Sequence, residues 1–433
     1  MGKAELPKKL NVCLIARHFP ISGRASGFSF LRLIARGLAS RGHKVTVLAA
    51  EHPLGRREIE QDGVKIFFLM ESRAGRVRRD PFPDLVKSKF IDLHVTNPFH
   101  IVHSVDHAAF KISRFKSDYK IAVAYDVAAT HLAELFAIMG MAQESLGSII
   151  RTGLAVAYRF ISAFRMDRRL LKTADGVFVS SPRERIALER YYLYPDQKIH
   201  TVPYGIEIGD LSPRERSEEL RKNLGIPETA KNIVTITDMT EVEEVKNVLR
   251  AFEQVAIKKP NSRLIIVGDG PKFKEIELAM LNLALGNRVI FTKAVRENEL
   301  PDYIALADVF VNLSSRTTGF EPSLLEAMAQ KKVIVGSEVS SMATIVEHSQ
   351  DGFLVRPADV DELTSLLLEI FTGQLPIEHI GEAACRKVLD LFDSEKMVVE
   401  TLTSYYAILK GTGYYKAQGS LVSRLADFLF SFG

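Results

Sequence analysis

Short, largely apolar runs alternate with segments of helical period down the chain, and this alternation restricts the fold more than any other feature. The first unit starts with Asn11 to Ala16, a strand-like run bounded by polar residues. A loop over Ser22 to Gly27 follows. Leu31, Ile34, Ala35 and Leu38 then fall at i, i+3, i+4 and i+7, one buried helical face. Gly42 suits a left-handed cap at the end of that helix, and Val45 to Ala49 is a second buried strand. Strand, helix, strand is a βαβ unit, which builds a parallel sheet through a right-handed crossover. Further strands are expected at His100 to His103, Ile121 to Tyr125, Val177 to Ser180 and Ile199 to Pro203, with a helical stretch over Leu154 to Lys172.

The second half repeats the design. Strands are expected at Asn232 to Ile236 and Arg263 to Val267, with a helix around Val248 to Ile257 between them. Val289 to Thr292, Val309 to Val311, Lys332 to Val335 and Phe353 to Val355 continue the sheet, and helices near Val360 to Phe371 and Ser394 to Leu409 close it. A chain of 433 residues exceeds what one core supports. Tyr204-Gly205 breaks the last strand of the first half, and the polar stretch Asp210 to Ser217 contains Pro213. The expected fold is α/β, with two doubly wound Rossmann-like domains, 1–207 and 208–390, facing across a cleft. A closing helix over 391–410 crosses back to the first domain, and 411–433 is an extra apolar tail. Ligands of such sheets sit at the carboxyl ends of the strands, so the cleft is the expected site.

Composition removes several alternatives. A formal charge of +4 is too small for a nucleic-acid binder with a dense basic face. Cys13 and Cys385 form neither a disulfide framework nor a CxxC zinc pattern and fit a reducing cytosol. His103, Asp106 and His107 have tempting spacing, as do His131 and Glu134, but no HExxH motif is present and no metal site is expected. No run reaches the roughly 18 apolar residues of a membrane span, and Val12 to Ala16 is too short for a signal-peptide core. The expected location is cytoplasmic, with peripheral attachment at the inner face of the cell membrane left open. Five arginines interleave with apolar residues over Ile149 to Arg169, which reads as a solvated charged face or a membrane-surface helix. Leu421, Leu425, Phe428, Leu429 and Phe432 form one stripe in the tail. Such a stripe docks on its own domain, joins a second subunit as a homodimer, or touches membrane.

The segment Ser314 to Ala329 carries the most chemistry. Gly319 permits a tight turn, Pro322 suits a first helical position, and Leu324, Leu325 and Met328 give the helix an apolar face. A turn feeding a helix N-terminus offers free N–H groups and a positive dipole end to an anion. Glu326, one turn in, is placed to accept bonds from ribose hydroxyls. The competing reading is a capped helix packed on its sheet. In the first half, Gly23 and Arg24 lie in a loop at a strand's carboxyl end, where backbone N–H groups approach a diphosphate or merely form a turn.

The run Glu326-Ala327-Met328-Ala329 is similar to the helix start of the retaining nucleotide-sugar glycosyltransferases of family 4, which have the GT-B fold. Leu38 to Leu48, Val177 to Ser181, Val202 to Glu207, Leu264 to Pro271 and Asp351 to Val355 extend the resemblance from about Asn11 to Lys410. It implies a nucleotide-sugar bound in the second domain and an acceptor in the first, a surface glycan or lipid-linked saccharide. The sugar would be transferred with retention, and without a metal or any cofactor beyond the nucleotide-sugar co-substrate. Glu326 would hold the ribose, and the turn at Gly319 and Phe320 with the backbone at Ser323 and Leu324 would meet the phosphates. The family's Arg and Lys after the first strand of the second domain correspond here to Asp238 and Glu243, leaving Lys246 and Arg316 as replacements. The first Glu of the family's pair, eight residues before Glu326, is Thr318. The family's sugar-facing His falls near Ala128, with Asp126 or His131 able to take over part of its role. Thr318 and Asp126 are therefore the catalytic candidates. These departures keep a second class open, a catalytically silent GT-B-fold protein that binds a saccharide or a protein partner.

Overall fold

The computed structural model describes residues 4–21, 29–52, 55–70, 80–127, 164–209, 213–314, 322–338 and 342–416. Its framework is two large sheets, each strung along one half of the chain. The first holds β2 (Asn11–Ala16), β3 (Lys44–Ala49), β4 (Glu58–Gln61), β5 (Val64–Phe68), β6 (Ile101–Ser104), β7 (Ala122–Asp126), β8 (Gly176–Val179) and β9 (Ile199–Thr201), in the order β4-β5-β3-β2-β6-β7-β8-β9. β2, β6, β7 and β8 are buried at every position. Their residues are therefore mostly apolar without alternation, as a sheet covered on both faces requires, with the polar Asn11, His103, Ser104 and Asp126 also buried. All neighbours are parallel except the β4–β5 hairpin. That hairpin turns at Asp62 (φ 54°) and Gly63 (φ 74°), two positive values that suit a tight Asp-Gly turn. It escapes sequence reading because β4, with its alternately exposed Glu-Ile-Glu-Gln, carries no apolar run.

One face of this sheet is covered by α1 (Ser29–Ser40), which buries Leu31, Ile34 and Leu38 as expected and is followed by Gly42 at φ 79°. The opposite face is covered by α2 (Phe82–Thr96), the short helices Phe110–Ser113 and Lys116–Tyr119, α3 (residues 164–173) and α4 (Pro182–Tyr192). Ser181 caps α4, its hydroxyl accepting from the Glu184 N–H at 3.3 Å.

The second sheet holds β10 (Lys231–Ile236), β11 (Ser262–Val267), β12 (Val289–Lys293), β13 (Val309–Asn312), β14 (Val333–Ser337) and β15 (Phe353–Val355), all parallel, in the order β12-β11-β10-β13-β14-β15. α5 (Val242–Lys258) starts earlier than its expected core because Val245 and Val248 share the buried stripe of Phe252 and Val255. α6 (Pro322–Ala329) is buried along its whole length. The helices not anticipated include α2 in the first half and, in the second, Phe273–Asn282 and α7 (Ile377–Leu391), whose buried Ile380, Ala384 and Val388 keep helical spacing among charged neighbours.

α8 (Ser394–Gly411) returns to the first domain and lies on α1. The approach is close because two facing positions are glycine. A Cβ on Gly37 would stand 2.5 Å from Val398 Cγ2, and one on Gly176 would stand 2.5 Å from Ile408 Cδ1. The chain crosses between the domains twice, and the two crossings are tied together. Ile206 N–H donates to Phe392 O at 2.8 Å, and Ser394 N–H donates to Ile206 O at 2.9 Å. His103, once a possible metal ligand, is buried in this packing and shares a 2.8 Å hydrogen bond with the Tyr405 hydroxyl of α8. β16 (Tyr415–Lys416) pairs in parallel with β1 (Ala4–Glu5). The tail stripe from Leu421 onward and most of the Ile149 to Arg169 segment lie outside the described residues.

Candidate functional site

In the second sheet the chain runs outward from β10 to β12 and then returns to place β13 on the other side of β10. Crossover loops leave in opposite directions there, so a crevice opens at the carboxyl ends of β10 and β13. A cavity of about 240 Å³ occupies that position. Its walls are Thr237 and Asp238 after β10, Gly268 and Asp269 after β11, Val295 and Glu297 after β12, Asn312 at the end of β13 and Ser314 after it, with Glu244 from α5 and Ser323 from α6.

Two glycines allow the β10 and β11 loops to touch. Gly268 has φ 133°, and a Cβ there would stand 1.8 Å from Thr237 O. A Cβ on Gly270 would stand 1.8 Å from Asp238 O. The β10 loop is itself held by Asp238 Oδ1, which accepts from the Thr240 N–H at 3.1 Å and its hydroxyl at 2.7 Å. Asn312 Oδ1 accepts the Ser314 N–H at 2.9 Å and shapes the exit of β13. Four carboxylates, Asp238, Glu244, Asp269 and Glu297, line the cavity, and no described lining residue is Lys or Arg. The wall is therefore rich in acceptors suited to hydroxyl and N–H groups. Donors to an anion come from backbone, at the start of α6. Ser323 and Leu324 follow Pro322, so their N–H groups fall in the helix's first turn, where no intrahelical acceptor exists.

The residues singled out from sequence separate into groups. Ser323 lines the cavity. The Leu324 side chain is fully buried, leaving only its backbone for a ligand. Lys246 does not line the cavity. Its ammonium is drawn to Glu243 at 3.0 Å and Glu275 at 3.4 Å, and the Glu243 hydrogen bond raises its pKa. Glu326 is buried and takes the other side of α6. With Pro322 it faces Ser29, Arg32 and Leu33 of α1 and Ile206 and Glu207 of the linker, around a gap of about 20 Å³. Pro322 and Glu326 are four residues apart and share a helix face, whereas Ser323 sits about 100° round from Pro322. Glu326 thus lies at the seam of the domains rather than in the main cavity. Gly23, Arg24, Arg316, Thr318, Gly319 and Phe320 lie outside the described residues, as do Ala128 and His131.

Asp126 ends β7 and is buried. It accepts a 2.7 Å bond from the Tyr204 hydroxyl, and the Tyr204 ring stacks on Phe30 at 3.8 Å between centroids. Burial first, and then the Asp126 charge, pushes the Tyr204 pKa far above that of an ordinary phenol. Nearby in the first sheet are the carboxyl ends of the paired strands β2 and β6. Asp106 Oδ2 accepts the Arg17 N–H there at 2.7 Å, and Oδ1 accepts the Ala108 N–H at 2.7 Å. Burial nevertheless raises the Asp106 pKa. The Arg17 guanidinium is engaged with Asp80 and stands 4.9 Å from the Phe82 ring centroid.

Sequence reading missed Thr237, Glu244, Asp269, Glu297 and Asn312 as lining residues. They come from three loops, the end of one strand and one helix, and nothing local marks them as partners. The usable signal is position, since Thr237, Gly268 and Leu313 each directly follow the last residue of a strand.

The family model described as glycosyl transferases group 1 matches residues 216–387, and that described as glycosyl transferase 4-like domain matches residues 29–205. N-acetyl-alpha-D-glucosaminyl L-malate synthase of Bacillus anthracis is 28% identical over 216 residues, 50% of this chain and 55% of that protein. The matched region thus spans about half the length of that curated relative. Sucrose-phosphate synthase from Thermosynechococcus elongatus superposes with a TM-score of 0.75 at 18% identity, over 93% of this chain and 100% of that one. HepE from Anabaena, solved in complex with UDP-glucose, superposes at 0.65 and 19% identity over 91% and 100%. At such identities the structural likeness is one of fold, two parallel α/β domains of GT-B type.

Proposed function

From a chain that belongs to the family 4 glycosyltransferases and has their GT-B fold, we propose an enzyme that moves a sugar from a nucleotide-sugar donor to a saccharide acceptor. The observation that carries this reading is the cavity at the β10–β13 divergence, in the half of the chain matched by the group 1 model. Its chemistry suits a polyhydroxylated ligand carrying phosphate. Asp238, Glu244, Asp269 and Glu297 accept from hydroxyl or base N–H groups, and the first turn of α6 gives backbone N–H groups to phosphate. The acceptor is a surface glycan or a lipid-linked saccharide, presented on the first domain near the Arg17, Asp106 and Asp126 strand ends. The anomeric configuration is retained, a reading that rests on the resemblance to the retaining family. No observation favours a catalytically silent protein of the same fold.

The experiment is calorimetric titration of the full chain with nucleoside diphosphates and their sugars. Two variants accompany it. Glu244→Trp puts an indole into the cavity, and Glu326→Ala removes the carboxylate at the seam. Saturable binding that Glu244→Trp abolishes supports the donor site. If Glu326→Ala also abolishes it with an unchanged melting temperature, the ribose is held at the seam and the donor spans both sides of α6. Absence of binding across the panel at millimolar ligand overturns the transferase reading.

A further inference from the structure

The charge of the chain is unevenly shared between its halves. Residues 1–207 hold 32 Lys and Arg against 20 Asp and Glu, a net +12. Residues 208–433 hold 25 against 33, a net −8. The small overall charge of +4 conceals this polarity.

In the described part of the first domain, unpaired cations collect on the helical layer opposite α1 and α8. On α3 the exposed positions are Arg165, Met166, Arg168, Arg169 and Lys172, and the buried positions Asp167, Leu170 and Leu171 face inward. The one acid of that helix is thereby withdrawn from the surface, its Oδ2 accepting from the Tyr192 hydroxyl at 2.6 Å. The short helices beside α3 add Arg114, Phe115 and Lys120, all exposed. Contact between these elements is direct: Lys116 Nζ donates to Thr173 O at 2.8 Å, and Ser113 Oγ donates to Thr173 Oγ1 at 2.8 Å. α2 joins the same face through Lys87, whose ammonium lies 4.7 Å from the Phe115 ring centroid. Among the described residues, Arg114, Lys120, Arg165, Arg169 and Lys172 form no ion pair.

This face also carries apolar side chains. Of twelve large apolar residues exposed among those described, seven lie on this layer and the short segments that end its helices, including Phe115, Met166 and Tyr191. Cations alone fit any polyanion. Cations interspersed with exposed Phe, Met and Tyr fit a surface with phosphate outside and hydrocarbon just beneath, where long basic side chains reach the headgroups and apolar groups enter the acyl boundary.

We propose that this helical layer of the first domain docks the chain on an anionic lipid bilayer. The negative second domain is then held off the surface by like charge, which orients the molecule with its first domain down. The proposal stands on charge and exposure, and does not depend on the donor chemistry.

The test is co-sedimentation of the full chain with phosphatidylcholine vesicles, with and without phosphatidylglycerol. Partitioning is expected only with phosphatidylglycerol. It is expected to fall as salt rises, because the screening length shrinks from about 10 Å at 0.1 M to about 3 Å at 1 M. The triple variant Arg165→Glu, Arg169→Glu, Lys172→Glu is expected to lose about tenfold or more of the partitioning. Arg114→Glu with Lys120→Glu, on a different element, is expected to lose binding as well, so a local folding defect in α3 does not imitate the result. Thermal melts of both variants report on folding. Equal binding to both vesicle types overturns the proposal. So does wild-type partitioning by both folded variants, or binding to soluble polyphosphate without any binding to vesicles.

Discussion

Replacing Gly268 by Ala should damage the second domain more than its single added methyl suggests. Two costs act together. Gly268 sits at φ 133°, a conformation that costs an L-residue about 1–3 kcal/mol. The new Cβ would also stand 1.8 Å from Thr237 O, a backbone atom that moves only if the β10 loop moves. Forcing such a contact apart typically costs about 1–3 kcal/mol more. Gly373 separates the two costs. It has φ 73° at the end of the helix Val360–Thr372 and nothing within 4 Å of an added Cβ, so Gly373→Ala carries conformational strain alone, about 1–2 kcal/mol. Gly268→Ala is therefore expected to destabilise the second domain by about 2–3 kcal/mol beyond Gly373→Ala. Calorimetric unfolding reads the difference, at roughly 2–4 °C per kcal/mol for a domain of this size. Because Gly268 also lines the cavity, nucleotide affinity should fall in the same variant and not in Gly373→Ala. Equal melting temperatures for the two variants would refute the idea that loop contact, rather than backbone angle, sets the value of Gly268.

Two other perturbations follow from buried polar groups. Tyr204→Phe removes the donor from Asp126, a 2.7 Å bond to a buried carboxylate, and should cost about 1.5–3 kcal/mol by urea unfolding; a change within 0.5 kcal/mol would show that the bond is not stabilising. Stability should also decline on acidification. Burial pushes the His43 pKa down to about 4 and the His103 pKa down to about 3, and the neutral His43 Nδ1 accepts the Leu10 N–H at 2.9 Å. Below the unfolded value of about 6.5 the unfolded chain binds protons that the folded chain refuses, so stability is lost as pH falls from there toward 4. Each such proton contributes a slope of up to about 1.4 kcal/mol per pH unit, and urea midpoints between those pH values should flatten in His43→Gln. An unchanged slope in that variant would remove His43 from the account.

Much of the architecture was readable from local chemistry. Continuous apolar runs such as Val12–Ala16 and Leu264–Val267 point to strands covered on both faces, as parallel sheets with flanking helices provide. Gly42 and Pro322 marked a helix end and a helix start for conformational reasons that act within a few residues. The strand limits moved by a residue where side chains took over the ladder. At the start of β6, for example, the His100 ring accepts the Asn11 N–H at 2.8 Å.

The site was less readable, because its chemistry depends on which loops meet. Lys246 looked like a phosphate ligand from its place near the β10 loop, but Glu275, from a helix not anticipated in sequence, lies close enough to share its charge with Glu243. Glu326 was recognised by its run, yet helical phase turns it with Pro322 toward α1 while Ser323 meets the cavity. The strand–helix grammar is local, since burial and backbone preference are properties of short segments. The cavity wall is not, since Thr237, Asp269, Glu297 and Asn312 come together solely because parallel strands all end at one edge of their sheet.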